Sequence, residues 1–170
     1  MTRFGFWISK GMRYLEILEA KQPDFSNGKF VAFTLSDETK ANLANFANTH
    51  QIINPADPKE YHITLVYSKA DFPWTVMDTL EDPIVVEPAA LFWEVFKTES
   101  GSNCLVLRME HPALLARHKQ AMEAGATNDF PDYKSHITIS YDIGEVQIET
   151  IPIPDFEIEI IGEYEDPLKP

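Results

Sequence analysis

The chain has 170 residues, 44% hydrophobic and 24% charged, with a net charge of −13, which suits one domain or two small lobes sharing a core. Long nucleic acid is a poor partner for so acidic a protein, because that affinity comes mostly from Lys and Arg neutralising phosphates; a small anion still fits where a groove focuses a few cations on it. No apolar run approaches a membrane span, no basic-then-apolar leader opens the chain, and the lone Cys104 permits no internal disulfide, so the sequence reads as cytoplasmic.

Residues 1–28 read as an N-terminal extension. Phe4, Phe6, Trp7 and Ile8 are too apolar for a solvated tail, and Ser9 is placed to cap a helix with Met12, Leu15 and Leu18 on one stripe, ending before Pro23. Residues 1–29 carry five basic and three acidic side chains, net +2, which leaves −15 for the remainder. A basic segment beside an acidic body is either a lid over it or a simple packed extension.

After the Asn27-Gly28 turn, Lys29 to Leu35 alternates as a strand, with Phe30, Ala32 and Thr34 on one face. Ser36 then caps a helix whose first turn holds Asp37 and Glu38, where the macrodipole favours them, and Leu43 and Phe46 supply its buried stripe. Asn54-Pro55 and Asp57-Pro58 mark a loop leading to Tyr61-His62-Ile63-Thr64-Leu65-Val66-Tyr67-Ser68. Strict alternation puts His62, Thr64, Val66 and Ser68 on one face of this strand and Ile63, Leu65 and Tyr67 on the other.

Further strands are predicted at Ile84 to Glu87 and at Leu91 to Lys97, a hairpin turn at Ser100-Gly101-Ser102-Asn103, and a return strand from Cys104 to Met109. His111 and Pro112 open a helix carrying Leu114, Leu115, His118 and Met122, which Gly125 stops. The next strand repeats the first motif: Ser135-His136-Ile137-Thr138-Ile139-Ser140-Tyr141-Asp142, with His136, Thr138 and Ser140 on one face. Each half thus runs strand, helix, loop, motif strand, the duplication expected of two lobes. The tail adds a strand at Phe156 to Ile160, inside a stretch from Glu145 to Leu168 that carries eight carboxylates and no Lys or Arg.

An amphipathic strand explains Ile and Thr, but not a His opening both copies and a Tyr closing both. Imidazole titrates near neutrality, so one of a pair can act as base while the other is acid. Phosphodiester cleavage needs both, placed on opposite sides of an in-line phosphorus. Thr64 and Thr138 would donate to the non-bridging oxygens. Which His is the acid is open at this level. The other histidines, His50, His111 and His118, lack metal-site spacing, so no metal and no cofactor is expected.

The paired His-Ile-Thr-(Leu/Ile)-x-Tyr copies, 74 residues apart (136 − 62), resemble the signature of the two-histidine (2H) phosphoesterase superfamily. That resemblance implies an α+β, two-lobed fold with pseudo-twofold duplicated antiparallel sheets and a central groove. The domain is expected over 29–170, with lobes at 29–83 plus the tail and at 84–145. Within the superfamily, Lys29-Phe30-Val31-Ala32, Trp93 and Phe130-Pro131-Asp132-Tyr133-Lys134 are similar to the phage anti-CBASS nucleases, which degrade cyclic oligonucleotide defence signals. The resemblance implies a metal-independent phosphodiesterase acting on cyclic di- or trinucleotides in the host cytoplasm, with His62, Thr64, His136 and Thr138 catalytic. The alternatives are a 2′,3′-cyclic phosphodiesterase or RNA-end processing enzyme using the same four residues, and a module that sequesters a nucleotide without cutting it.

The same resemblance makes Trp93 and Phe30 the base-stacking candidates, each alternatively a core residue; the family favours Tyr where this chain has Phe30. Glu163 matches a family carboxylate and either orients a base or ribose or lies on the surface. Lys134 and Lys29 are nearby cations for phosphate. No protein partner is indicated.

Overall fold

A computed structural model describes residues 28–128 and 132–168. The expectations for the N-terminal extension, Gly28 apart, lie outside the described residues. Among the described residues, no helix is long and apolar enough to cross a membrane.

Among the described residues, seven strands form two antiparallel sheets. β1 (Lys29–Leu35), β2 (Ile63–Ser68), β3 (Ile84–Val86) and β7 (Ile158–Pro167) make the first, in the order β2-β1-β7-β3. β4 (Leu91–Lys97), β5 (Asn103–Met109) and β6 (His136–Ser140) make the second, in the order β4-β5-β6. The tail strand is longer than its apolar alternation suggests and is inserted between β1 and β3. β3, expected to open the second lobe, instead pairs with β7 (Ile84↔Ile160 to Val86↔Ile158). The first lobe therefore takes 84–86 as well. Three residues paired with a strand from the far end of the chain leave no local signal of which sheet they join.

Helix α1 (Asp37–Thr49) starts as expected: the Ser36 hydroxyl accepts the Thr39 N–H at 3.1 Å. Helix α2 (Pro112–Glu123) is capped by His111 Nδ1, which accepts the Ala113 N–H at 3.0 Å, and ends at Gly125 with φ 113°. Its buried stripe is Leu114, His118 and Ala121, spaced i, i+4, i+7; Leu115 turns out to solvent. Each helix follows a strand of one sheet and reaches the other. Phe46 of α1 stacks on Trp93 of β4 at 5.9 Å, and His118 of α2 bonds to Leu65 O of β2. This exchange joins both lobes in one continuous core of buried Phe33, Leu43, Leu65, Leu107, Leu114 and Ile137, among others.

Neither motif strand alternates strictly. In β2, Ala32 pairs with Thr64 and Val31 with Val66, so Leu65 is an extra residue. In β6, Val106 pairs with Thr138 and Leu105 with Ser140, so Ile139 is extra. Both β-bulges fall one residue after the motif Thr, and each flips the facing of the residues beyond it. Val66, Ser68 and Ser140, expected beside the histidines, are buried instead. Tyr67 turns to the histidine side, where its ring lies 6.3 Å from Phe30.

Candidate active site

His62 immediately precedes β2 and His136 opens β6, and both are half-buried. Their rings are held alike. His62 Nδ1 lies 2.8 Å from Glu60 O, and His136 Nδ1 lies 2.7 Å from Lys134 O. A carbonyl oxygen only accepts, so each Nδ1 carries the hydrogen and each Nε2 keeps its lone pair for the groove. Each imidazole also meets the edge of one Phe: Phe30 at 5.5 Å for His62 and Phe96 at 4.9 Å for His136. Thr64 and Thr138 follow two residues on, before the bulges, on the same face as their histidines.

Burial lowers both imidazoles from the ordinary value of 6.5. For His62, the Glu60 carbonyl and carboxylate oppose that effect, while Lys40 adds to it. His136 is pushed down to about 4, first by burial and then by His62 and Arg108, against the Lys134 carbonyl and Glu94. Both rings are therefore neutral at pH 7 in the free protein. Each ring has a carboxylate and a cation acting on it, Glu60 with Lys40 at His62 and Glu94 with Arg108 at His136, and the charge of His62 further lowers His136.

The face of the second sheet around His136 can be read from its register. Arg108 pairs with His136, and Phe92 with Arg108. The Arg108 guanidinium lies 4.9 Å from the Phe92 ring, donates Nε–H to Ser135 O at 3.3 Å and binds Glu94 at 2.7 Å. Lys134 reaches the other oxygen of Glu94 at 3.6 Å with its side chain 47% exposed, so its ammonium stays open to a ligand. On the first sheet, Phe30 has Tyr164 6.2 Å away; burial, then Asp166, pushes the Tyr164 phenol up to about 12.

Phe30 thus stands beside His62. Trp93 does not face the motifs. It pairs with Leu107 on the core row of β4, is 7% exposed, and donates its indole N–H to Pro152 O at 3.0 Å. Phe92, Glu94 and Phe96 occupy the opposite, histidine-side row. Glu163 is neither at the motifs nor on the surface. At 2% exposure it accepts two bonds from Arg117, at 2.7 and 2.8 Å, and one from the Met77 N–H at 3.3 Å, on the face of β7 away from Tyr164. Lys29 is drawn to Asp71 at 3.3 Å and Phe72 O at 2.8 Å, on the core row of β1 rather than the row of Phe30. Reading Leu91, Trp93 and Val95 as the buried row of β4 would have exposed the row of Phe92, Glu94 and Phe96 from sequence; Arg108 carried no such signal.

Among the described residues, no three His, Cys, Asp or Glu side chains gather as metal ligands. A cleft of about 400 Å³ beside α1, lined by Asn42, Asn45 and Asp155, contains none of the motif residues. His62 lies near enough to act on the charge of His136, and two Nε2 lone pairs with two hydroxyls have the chemistry to move protons to and from a phosphodiester while holding its oxygens.

The family described as anti-CBASS protein Acb1 matches residues 27–170. Anti-CBASS protein Acb1 of Vibrio phage KVP40 is 32% identical over 143 residues, covering 84% of this chain and 89% of the relative. That of Salmonella phage S16 is 34% identical over 151 residues, covering 88% and 93%. Among solved structures, Escherichia coli LigT complexed with 3′-AMP superposes with a TM-score of 0.54 at 17% identity, covering 84% of this chain and 95% of that one. A Thermus thermophilus protein, TT0787, gives 0.54 at 17% identity, covering 81% and 86%. These two likenesses concern the fold.

Proposed function

We propose, from the premise that this chain belongs to the anti-CBASS protein Acb1 family, that it is a metal-independent 2H phosphodiesterase opening cyclic di- or trinucleotide defence signals. It would act in the cytoplasm of an infected bacterium. The observation that carries the reading is the matched pair of imidazoles, each with Nδ1–H tied to a carbonyl two residues back and Nε2 free, each followed by a Thr.

A ribose 2′-hydroxyl next to a 3′–5′ phosphodiester is already positioned for attack, which can supply ~7–11 kcal/mol of the barrier. His136, neutral beside Arg108, takes the 2′-hydroxyl proton through Nε2. The 2′-oxygen bonds to phosphorus, the bond from phosphorus to the 5′-oxygen breaks, and His62, which carries a proton beside Glu60, delivers it to that oxygen. Thr64 and Thr138 donate to the non-bridging oxygens as their charge builds. The product is a ring-opened 2′,3′-cyclic phosphate. Water can then attack with the two histidines in exchanged roles. The approach of an anionic phosphate is what raises His62 far enough to be charged at neutral pH. Phe30 offers a stacking face for a base, and Lys134 a charge for a further phosphate of the ring.

The test is to incubate the protein with cyclic dinucleotides, cyclic trinucleotides and 2′,3′-cyclic mononucleotides and to identify products by mass. Ring opening through a 2′,3′-cyclic phosphate is expected, and an all-deoxy ring should bind without being cut. Turnover confined to 2′,3′-cyclic mononucleotides would favour the end-processing alternative, and cleavage of the deoxy ring at a similar rate would mean that water attacks directly.

A further inference from the structure

β2 is an edge strand, and at its bulge the carbonyls of Thr64 and Leu65 accept from side chains in the second half of the chain. Tyr133 donates its hydroxyl to Thr64 O at 2.7 Å, and His118 donates Nδ1–H to Leu65 O at 2.8 Å. The two rings stack at 4.1 Å and 6°. Burial keeps the Tyr133 phenol protonated, well above its usual range, and His118 below its own. At the equivalent bulge in β6 the donor is main chain: Ala56 N–H reaches Ile139 O at 2.8 Å. The bulge residue's carbonyl thus takes a side-chain donor at Leu65 and a main-chain donor at Ile139.

Tyr133 stands three residues before His136, and the segment between them is pinned. Ser135 donates its hydroxyl to Met109 O at 2.7 Å, its carbonyl accepts Arg108 Nε–H at 3.3 Å, and Lys134 O orients the His136 ring. We propose that Tyr133, backed by His118, is a positioning residue that fixes Thr64 of one motif at a set distance from His136 of the other. The four residues 133–136 act as a short strut: one end holds the main chain of the phosphate-binding Thr, the other holds the base. A phosphate bridging both groups needs that gap kept constant through the reaction.

The inference rests on both motifs facing one phosphate, as proposed above, and its test separates the two. Tyr133→Phe keeps the ring stack and removes only the hydroxyl. With the cyclic dinucleotide that the wild type cuts best, Y133F should lower kcat at least about 10-fold with KM within about twofold. In a T64A background the same change should have no further effect, since Tyr133 acts through Thr64. His118→Gln, which still offers an N–H to Leu65 O, should recover most of the activity lost in His118→Ala. A second readout needs no turnover. Titration with inorganic phosphate, followed by the backbone amide shifts of Thr64 and His136, should move both with one Kd in the wild type. In Y133F that Kd should rise to the value for T64A. Full kcat in Y133F, an undiminished loss in the T64A background, or an unchanged phosphate Kd would overturn the positioning role. A protein that binds phosphate in this coupled way yet cuts no cyclic dinucleotide would refute the proposed substrate and leave the strut supported.

Discussion

Replacing His136 by Gln should change how stability depends on pH, by an amount the site's geometry sets. In the native protein His136 titrates near 4; unfolded, it returns to about 6.5. Between those values the unfolded chain takes up a proton that the native groove refuses. Stability on this account is fully present above pH 6.5 and is lost as pH falls toward 4, since unfolding then gains the bound proton. From pH 7 to pH 4.5 the linkage for one such group is about 2 kcal/mol, and about 1–2 kcal/mol once solvent reaching the half-buried ring is allowed for. Urea denaturation of the wild type and H136Q at both pH values isolates the effect, because carboxylates titrating in the same range cancel in the difference. The wild type should lose about 1–2 kcal/mol more than H136Q. Millimolar inorganic phosphate should shrink the difference, because an anion beside the ring raises its affinity for a proton. Parallel losses in the two proteins would mean that His136 is not held neutral, and its assignment as the base would fall with it.

His62→Ala and His136→Ala should each lower kcat about 10²–10⁴-fold, with thermal melts showing that the fold persists; near-normal turnover in either would end the paired mechanism. Phe30→Ala should weaken nucleotide binding by about 1–3 kcal/mol by calorimetry, as expected for one base–aromatic stack. Trp93→Ala, by contrast, empties a core position and should cost about 3–5 kcal/mol of stability with KM unchanged below the melt. Arg117→Met strands the buried Glu163 carboxylate and should destabilise by about 3–5 kcal/mol, whereas changing both partners together to apolar residues should restore most of it. A rise in KM for E163Q at unchanged stability would instead return Glu163 to the substrate.

Much of this protein was decided locally and is legible in the chain. The strands β1, β4 and β5, the Ser36 and His111 caps, the Gly125 stop and the two His-x-Thr copies all arise from side chains within a few residues of one another, where propensity and local pattern act. The duplication itself announced two lobes. What the chain concealed depends on partners far along it. The bulges at Leu65 and Ile139 are defined only by register against β1 and β5, so Tyr67 and Ser140 changed faces with no change in local sequence. Alternation offered two rows of β4, that of Glu94 the less apolar, and the packing of Phe46 on Trp93 shows the other to be core. Glu163 sits among eight carboxylates that look alike in sequence; an Arg 46 residues earlier made it the buried one. The contact of Tyr133 with Thr64, across 69 residues, exists because α2 crosses to the other sheet. Local chemistry settled which residues could act, and long-range packing settled which of them share a face, because backbone register and burial are properties of pairs of segments rather than of either segment alone.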